Sequence, residues 1–145
     1  MKTLALIIGN NEYHDGAKLT NAVNDAMAIS EVFERLGFDT IVKYNCTAKD
    51  YCDLLADFEN RISNYDASIF YFAGHGYELD GENFLASIDC QIPPSNKYHA
   101  GQNSIRLSEF LDIYRKNTNK INIAIIDACR RSFERSGNTV LAPIF

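Results

Sequence analysis

The feature that most constrains the fold of this chain is an alternation of period. Short apolar runs, "TLALIIG" (3–9), "DTIVKY" (39–44), "DASIFYFAG" (66–74) and "KINIAIIDA" (120–128), are separated by stretches in which apolar residues recur at helical spacing. Runs of this kind fit strands buried on both faces. The first intervening stretch carries Leu19, Ala22, Ala26, Ile29, Val32, Phe33 and Leu36 and stops at Gly37. In the second, "TAKD" (47–50) has the form of a capping box ahead of Tyr51, Leu54, Leu55, Phe58 and Ile62. "RLSEFLDIYRKN" sets Leu107, Phe110, Leu111 and Tyr114 on one face of a further helix. The expected class is α/β: a mostly parallel sheet of four strands with helices on both faces and right-handed connections.

A chain of 145 residues with 46% hydrophobic content closes one core, so a single domain is expected. The formal charge of −5, with Lys and Arg scattered, argues against nucleic acid or an anionic membrane as partner. No apolar stretch approaches the roughly 18 to 20 residues of a membrane span, and "MKTLALIIGNNEY" has no cleavage-site pattern, so a cytoplasmic protein is expected. Cys46, Cys52, Cys90 and Cys129 form no CxxC pair and have no ligand spacing with a histidine, which points to reduced thiols and no zinc site.

Residues 75–103, with Gly76, Gly81, Pro93, Pro94 and Gly101, read as a surface hairpin and loop rather than a core element. The acidic residues of "ELDGEN" (78–83) lack the EF-hand pattern and are expected to be solvated, as are His14 and His99 in polar loops. "GNNEYHDG", after the first strand, is not a glycine-rich phosphate loop, which weighs against a flavodoxin-like nucleotide-binding domain.

In open parallel sheets, ligands bind beyond the carboxyl ends of the strands. The third run leads into "GHGY" and the fourth into "DACR". His75 lies between two glycines, where the backbone can turn sharply and another segment can approach closely. Taken singly, a strand-end histidine is most often a surface group, and a lone cysteine a small buried hydrophobe. Adjacent parallel strands would bring the two together, and a Cys–His couple suits acyl transfer: imidazole takes the thiol proton, thiolate attacks a carbonyl, imidazolium protonates the leaving amine. The backbone N–H groups of Gly76 and Cys129 are then candidates for an oxyanion hole.

"FYFAGHGYELDGENFL" and "INIAIIDACRRS" resemble the histidine and cysteine motifs of caspase-like peptidases, the superfamily of caspases, metacaspases and paracaspases. His75 also precedes Cys129 by about 50 residues, the separation expected of that superfamily. "LALIIGNNEY" and "LTNAVNDAMAISEVFERLGF" are similar to its first strand and helix, so the resemblance covers nearly the whole chain, and it is closest to paracaspases. It implies a caspase-hemoglobinase fold, a thiol protease that acts after a basic residue, protein or peptide substrates, no cofactor, and His75 and Cys129 as catalytic residues.

Position 127 is Asp where animal caspases have Gln, and position 131 is Arg where they have Gly. Residues two apart in a strand share a side, so Asp127 should flank Cys129, and an anionic wall there would pair with an Arg guanidinium. Asp25 matches the acidic residue that lines the primary pocket in paracaspases. Without the resemblance, Asp25 reads as a solvated helix carboxylate and Asp127 as a strand-end group satisfied by loop N–H donors. Arg130, Arg131 and Arg135 fall in "RRSFERSGN", an expected exposed loop where an Arg-directed peptidase could cut itself.

The resemblance further implies a smaller portion after "VLAPIF" that completes the pocket. Residues 1–145 are thus expected to be a large-subunit-like domain of a longer or processed protein, needing a small-subunit portion, a partner chain or a second copy. The competing reading is a caspase-like assembly or scaffold module that needs a partner subunit and has little activity alone.

Overall fold

The structure, a computed structural model, describes residues 1–118, 120–133 and 139–141; of residues 129–133 and 139–141 it describes the backbone alone. In chain order the elements are β1 (Thr3–Gly9), α1 (Ala22–Arg35), β2 (Asp39–Tyr44), α2 (Ala48–Arg61) with a following 3₁₀ turn (Ile62–Asn64), and β3 (Ala67–Leu79). β4 (Glu82–Ala86), α3 (Lys97–Gln102), β5 (Ser104–Arg106), α4 (Leu107–Arg115), β6 (Ile121–Phe133) and β7 (Thr139–Leu141) complete them.

β1, β2 and β6 are the expected parallel partners: β1 lies between β2 and β3, and β6 runs along β3 for its whole length. The apolar composition of these strands follows from burial, since Leu4 to Ile8 of β1 have no exposed surface. Alternate residues serve opposite faces. Leu4, Leu6 and Ile8 join Phe58 of α2 and Phe110 and Tyr114 of α4, with Phe70 and Phe72 of β3 in the same layer. Ala5 and Ile7 meet Ala22 and Ala26 of α1 on the other face, together with Tyr71 and Ala73.

The capping box forms as read: Thr47 accepts the Asp50 N–H, and the Asp50 carboxylate accepts the Thr47 N–H at 2.9 Å. α1 departs from its expected face at Val32 and Leu36, which are exposed; its small residues Ala22, Ala26 and Ser30 are the buried ones. Small residues are required because α1 closes onto Gly9, where a Cβ would stand 2.6 Å from that of Ala26 and 2.9 Å from the Ala22 carbonyl oxygen. Gly9→Ala is expected to cost about 1–3 kcal/mol through this overpacking, read as a lower urea midpoint at unchanged slope.

Two sequence expectations are corrected. The sheet has seven strands among the described residues rather than four: β4 and β5 lie in and just after the glycine- and proline-bearing stretch, and β7 pairs antiparallel with the end of β6. Asp80 and Gly81 both take positive φ in a two-residue hairpin turn, the backbone that an Asp-Gly pair favours. The hairpin then returns β4 antiparallel to the far half of β3, and Phe84, Leu85 and Ala86 are buried; Phe84 stacks on Tyr77 at 5.2 Å. The second correction concerns strand length. β3 and β6 do not stop at Gly74 and Ala128 but remain paired to Leu79 and Phe133. Arg130 and Arg131 therefore belong to a paired strand, not an exposed loop, and Arg135 lies outside the described residues.

Among the described residues, helices cover both faces of the sheet at β1 and β3, but not at β6. Ile121, Ile123 and Ile125 register with Ala67, Ile69 and Tyr71 and so share the face on which α1 lies, yet they are 58%, 45% and 42% exposed. No described helix is long and apolar enough to cross a membrane.

Candidate active site

His75 and Cys129 are Cα partners in the parallel ladder of β3 and β6. Neighbouring strands lie about 4.7–4.9 Å apart and in-register residues share a face, so the backbone sets the two residues side by side.

His75 is held from several directions by the segment between β1 and α1. Its Nε2 lies 2.6 Å from the Ala17 carbonyl oxygen. A carbonyl only accepts, so Nε2 carries the hydrogen and Nδ1 is the lone-pair nitrogen of the neutral ring. The His75 backbone N–H donates to the Tyr13 hydroxyl at 2.7 Å, and the two rings lie 4.5 Å apart at 59°. Neighbouring Gly74 is needed for this approach: a Cβ there would stand 2.5 Å from the Tyr13 hydroxyl. The glycine thus admits another segment, as read, but without a sharp turn.

Asparagines build that segment. Asn10 is buried; its side chain accepts the Cys46 N–H at 2.8 Å and donates to the Tyr51 hydroxyl and the Ala86 carbonyl. The Asn11 side chain accepts the Val23 N–H in the first turn of α1, and the Asn45 side chain accepts the N–H groups of Asn11 and Glu12. Neither Tyr13 nor Ala17 is marked in the sequence as a site residue. The only signal was the run of two asparagines directly after a strand, which suits a structured turn.

Asp25 and Asp127 line one cavity. A cavity of about 190 Å³ beside His75 is lined by Leu19, Thr20, Ala22, Asp25, Gly74 and Asp127 among others, and both carboxylates are exposed. Tyr71 lies beneath them, its hydroxyl 3.5 Å from an Asp127 carboxylate oxygen. Its pKa is pushed up to about 12, first by burial and then by the negative charges of Asp127 and Asp25. The phenol therefore senses both acids. An open cavity with two carboxylates and, among the described residues, no cation on its walls suits a cationic side chain.

The remaining cysteines and histidines stand apart. Cys46 and Cys90 are buried, and burial raises both thiols, Cys46 to about 12, which makes them poor nucleophiles at neutral pH. Cys52, His14 and His99 are exposed. Among the described residues no group of three or more His, Cys, Asp or Glu side chains could hold a metal ion.

The sequence model of the caspase domain matches residues 2–142. Among characterised proteins, the chain is 24% identical over 128 residues to the mouse protein named mucosa-associated lymphoid tissue lymphoma translocation protein 1 homolog. It is 23% identical over the same length to the human protein of that name. Each match takes in 88% of this chain and 15% of the relative, so the chain spans a small part of the length of either.

Proposed function

The chain belongs to the caspase-domain family of cysteine peptidases, and we propose from this that it is an endopeptidase that cleaves after a basic residue, Arg in preference to Lys. The observation that carries the proposal is the in-register pairing of His75 with Cys129, with the imidazole Nε2 donated to Ala17.

In this reading His75 Nδ1 takes the thiol proton of Cys129, and the thiolate attacks the carbonyl carbon of the scissile peptide. The proposed oxyanion donors are the N–H groups of Gly76 and Cys129, which belong to the paired β3–β6 ladder and must leave it to face the substrate, and the imidazolium returns its proton to the leaving amine. Water, deprotonated by the same imidazole, then hydrolyses the thioester. The Ala17 carbonyl is the third group: it fixes the tautomer and stabilises the imidazolium as it forms. Asp25 and Asp127 receive the guanidinium, which a carboxylate pair binds better than a lysine ammonium because its fork of donors engages two acceptors at once.

The bare isoleucine face of β6 supports a second element of the reading. Residues 1–145 form a large-subunit-like domain that packs a small-subunit portion, or a second copy, against Ile121, Ile123 and Ile125 and pairs with β6. The same face favours the competing reading, in which the chain is an assembly module.

Fluorogenic peptides ending in Arg, Lys and Asp, offered to the chain alone and with its small-subunit portion, separate the two. Cleavage in the order Arg, Lys, with Asp untouched, together with labelling of Cys129 by an Arg-directed chloromethylketone, is expected. Equal labelling by basic and acidic probes, with no peptide cleaved by the folded assembly, would leave the assembly module as the better account.

A further inference from the structure

We infer that Tyr13 is a positioning residue for His75: its hydroxyl anchors the histidine backbone while its ring fixes the plane of the imidazole. The inference deepens the proposed peptidase site and rests on it.

Tyr13 is buried, with 1% of its surface exposed, and lies between β1 and α1 on the same segment as Ala17. Its hydroxyl sits between two groups, accepting the His75 N–H at 2.7 Å and donating to the Ala86 carbonyl oxygen at 3.4 Å. That carbonyl also receives the Tyr51 hydroxyl at 2.7 Å and the Asn10 side-chain amide at 3.3 Å. The Ala86 carbonyl is therefore well satisfied without Tyr13, and the short bond is the one to His75. A tyrosine placed only to fill the core has no need of a hydroxyl aimed at this particular N–H.

Gly74 points the same way. Any side chain at that position would collide with the Tyr13 hydroxyl, so the strand gives up a Cβ beside His75 to admit it. The ring then lies 4.5 Å from the imidazole, while Ala17 takes the Nε2 hydrogen. One segment thus holds the histidine at three points: its backbone N–H, its ring face and one ring nitrogen. Burial raises the Tyr13 phenol well above its usual range, so it stays neutral wherever a thiol peptidase works and does not itself titrate.

A base held this way transfers a proton only in the retained orientation, and an error of about 1 Å in such a site costs on the order of a hundredfold in rate. Tyr13→Phe, which keeps the ring, is expected to lower kcat for an Arg peptide about tenfold and to hold KM within about twofold. Tyr13→Leu, which removes both anchors, is expected to lower kcat on the order of a hundredfold. NMR gives a readout independent of turnover. The His75 backbone amide proton is expected to move upfield in Tyr13→Phe, and both imidazole carbon-bound protons to shift in Tyr13→Leu.

Unchanged kcat and unchanged His75 resonances in Tyr13→Phe would overturn the inference. So would the absence, in the unaltered protein, of nuclear Overhauser contacts between the Tyr13 ring and the His75 imidazole, a measurement that needs no variant to fold. Were the unaltered protein to cleave no peptide, the failure would lie with the peptidase reading, and the His75 resonances would still decide the positioning role.

Discussion

Alanine at Cys129 or at His75 is expected to lower kcat for an Arg peptide by on the order of 10³-fold or more, and the double variant is expected to lose no more than either single one. The non-additivity is the informative part. If the two residues act as one unit, removing the nucleophile leaves nothing for the base to activate, and removing the base leaves a thiol that is only slightly ionised at neutral pH. Two independent contributions would instead multiply. The register pairing sets the two residues side by side, as the proposed unit requires, and steady-state kinetics on the four proteins, each checked by thermal melting, makes the measurement. Single variants that each retain rates near that of the unaltered protein would end the dyad assignment.

Neutralising the cavity is expected to give the next largest effect. Asp25→Asn or Asp127→Asn each removes a charge-assisted hydrogen bond worth about 1.5–3 kcal/mol, so each is expected to raise KM for an Arg peptide by roughly 10- to 100-fold. The double variant is expected to accept a citrulline peptide, which keeps the shape and loses the charge, about as well as an Arg peptide. kcat should change little, because the guanidinium is held in the ground state and in the transition state alike. Equal losses for Arg and citrulline would remove the carboxylates from the specificity pocket.

Tyr71 reports on the same charges without a substrate. Negative neighbours disfavour its phenolate, so removing them is expected to bring its pKa down from about 12. The fall is partial, since burial is the larger cause and remains. Ultraviolet titration of the double variant against the unaltered protein measures it.

Much of this protein was legible in its residues. β1 and β2 have the bounds that their apolar runs mark, and the Thr47–Asp50 box begins α2 where the motif stands. His75 and Cys129 were found as a pair because each ends a run recognisable by composition, and parallel strands bring such ends together. The hairpin expected between His75 and Asn103 forms, but the stretch is not confined to the surface as its glycines and prolines suggest. Gly81 does serve a turn, but Phe84, Leu85 and Ala86 between the turns form a buried strand too short to display a period.

Local pattern was sufficient for the class, the long strands and helices and the candidate nucleophile and base, because burial of one strand face or one helix stripe is written in the spacing of nearby residues. The tertiary structure alone decided how the histidine is held and which cavity the two acids line. The anchor at Ala17 is a backbone carbonyl, which any residue type supplies, and that at Tyr13 depends on a segment folding back over Gly74. Asp25 and Asp127 come from a helix and a distant strand, and only the crossover of α1 onto the sheet gives them one cavity. Contacts of that kind follow from the path of the chain through space, which no spacing along the sequence records.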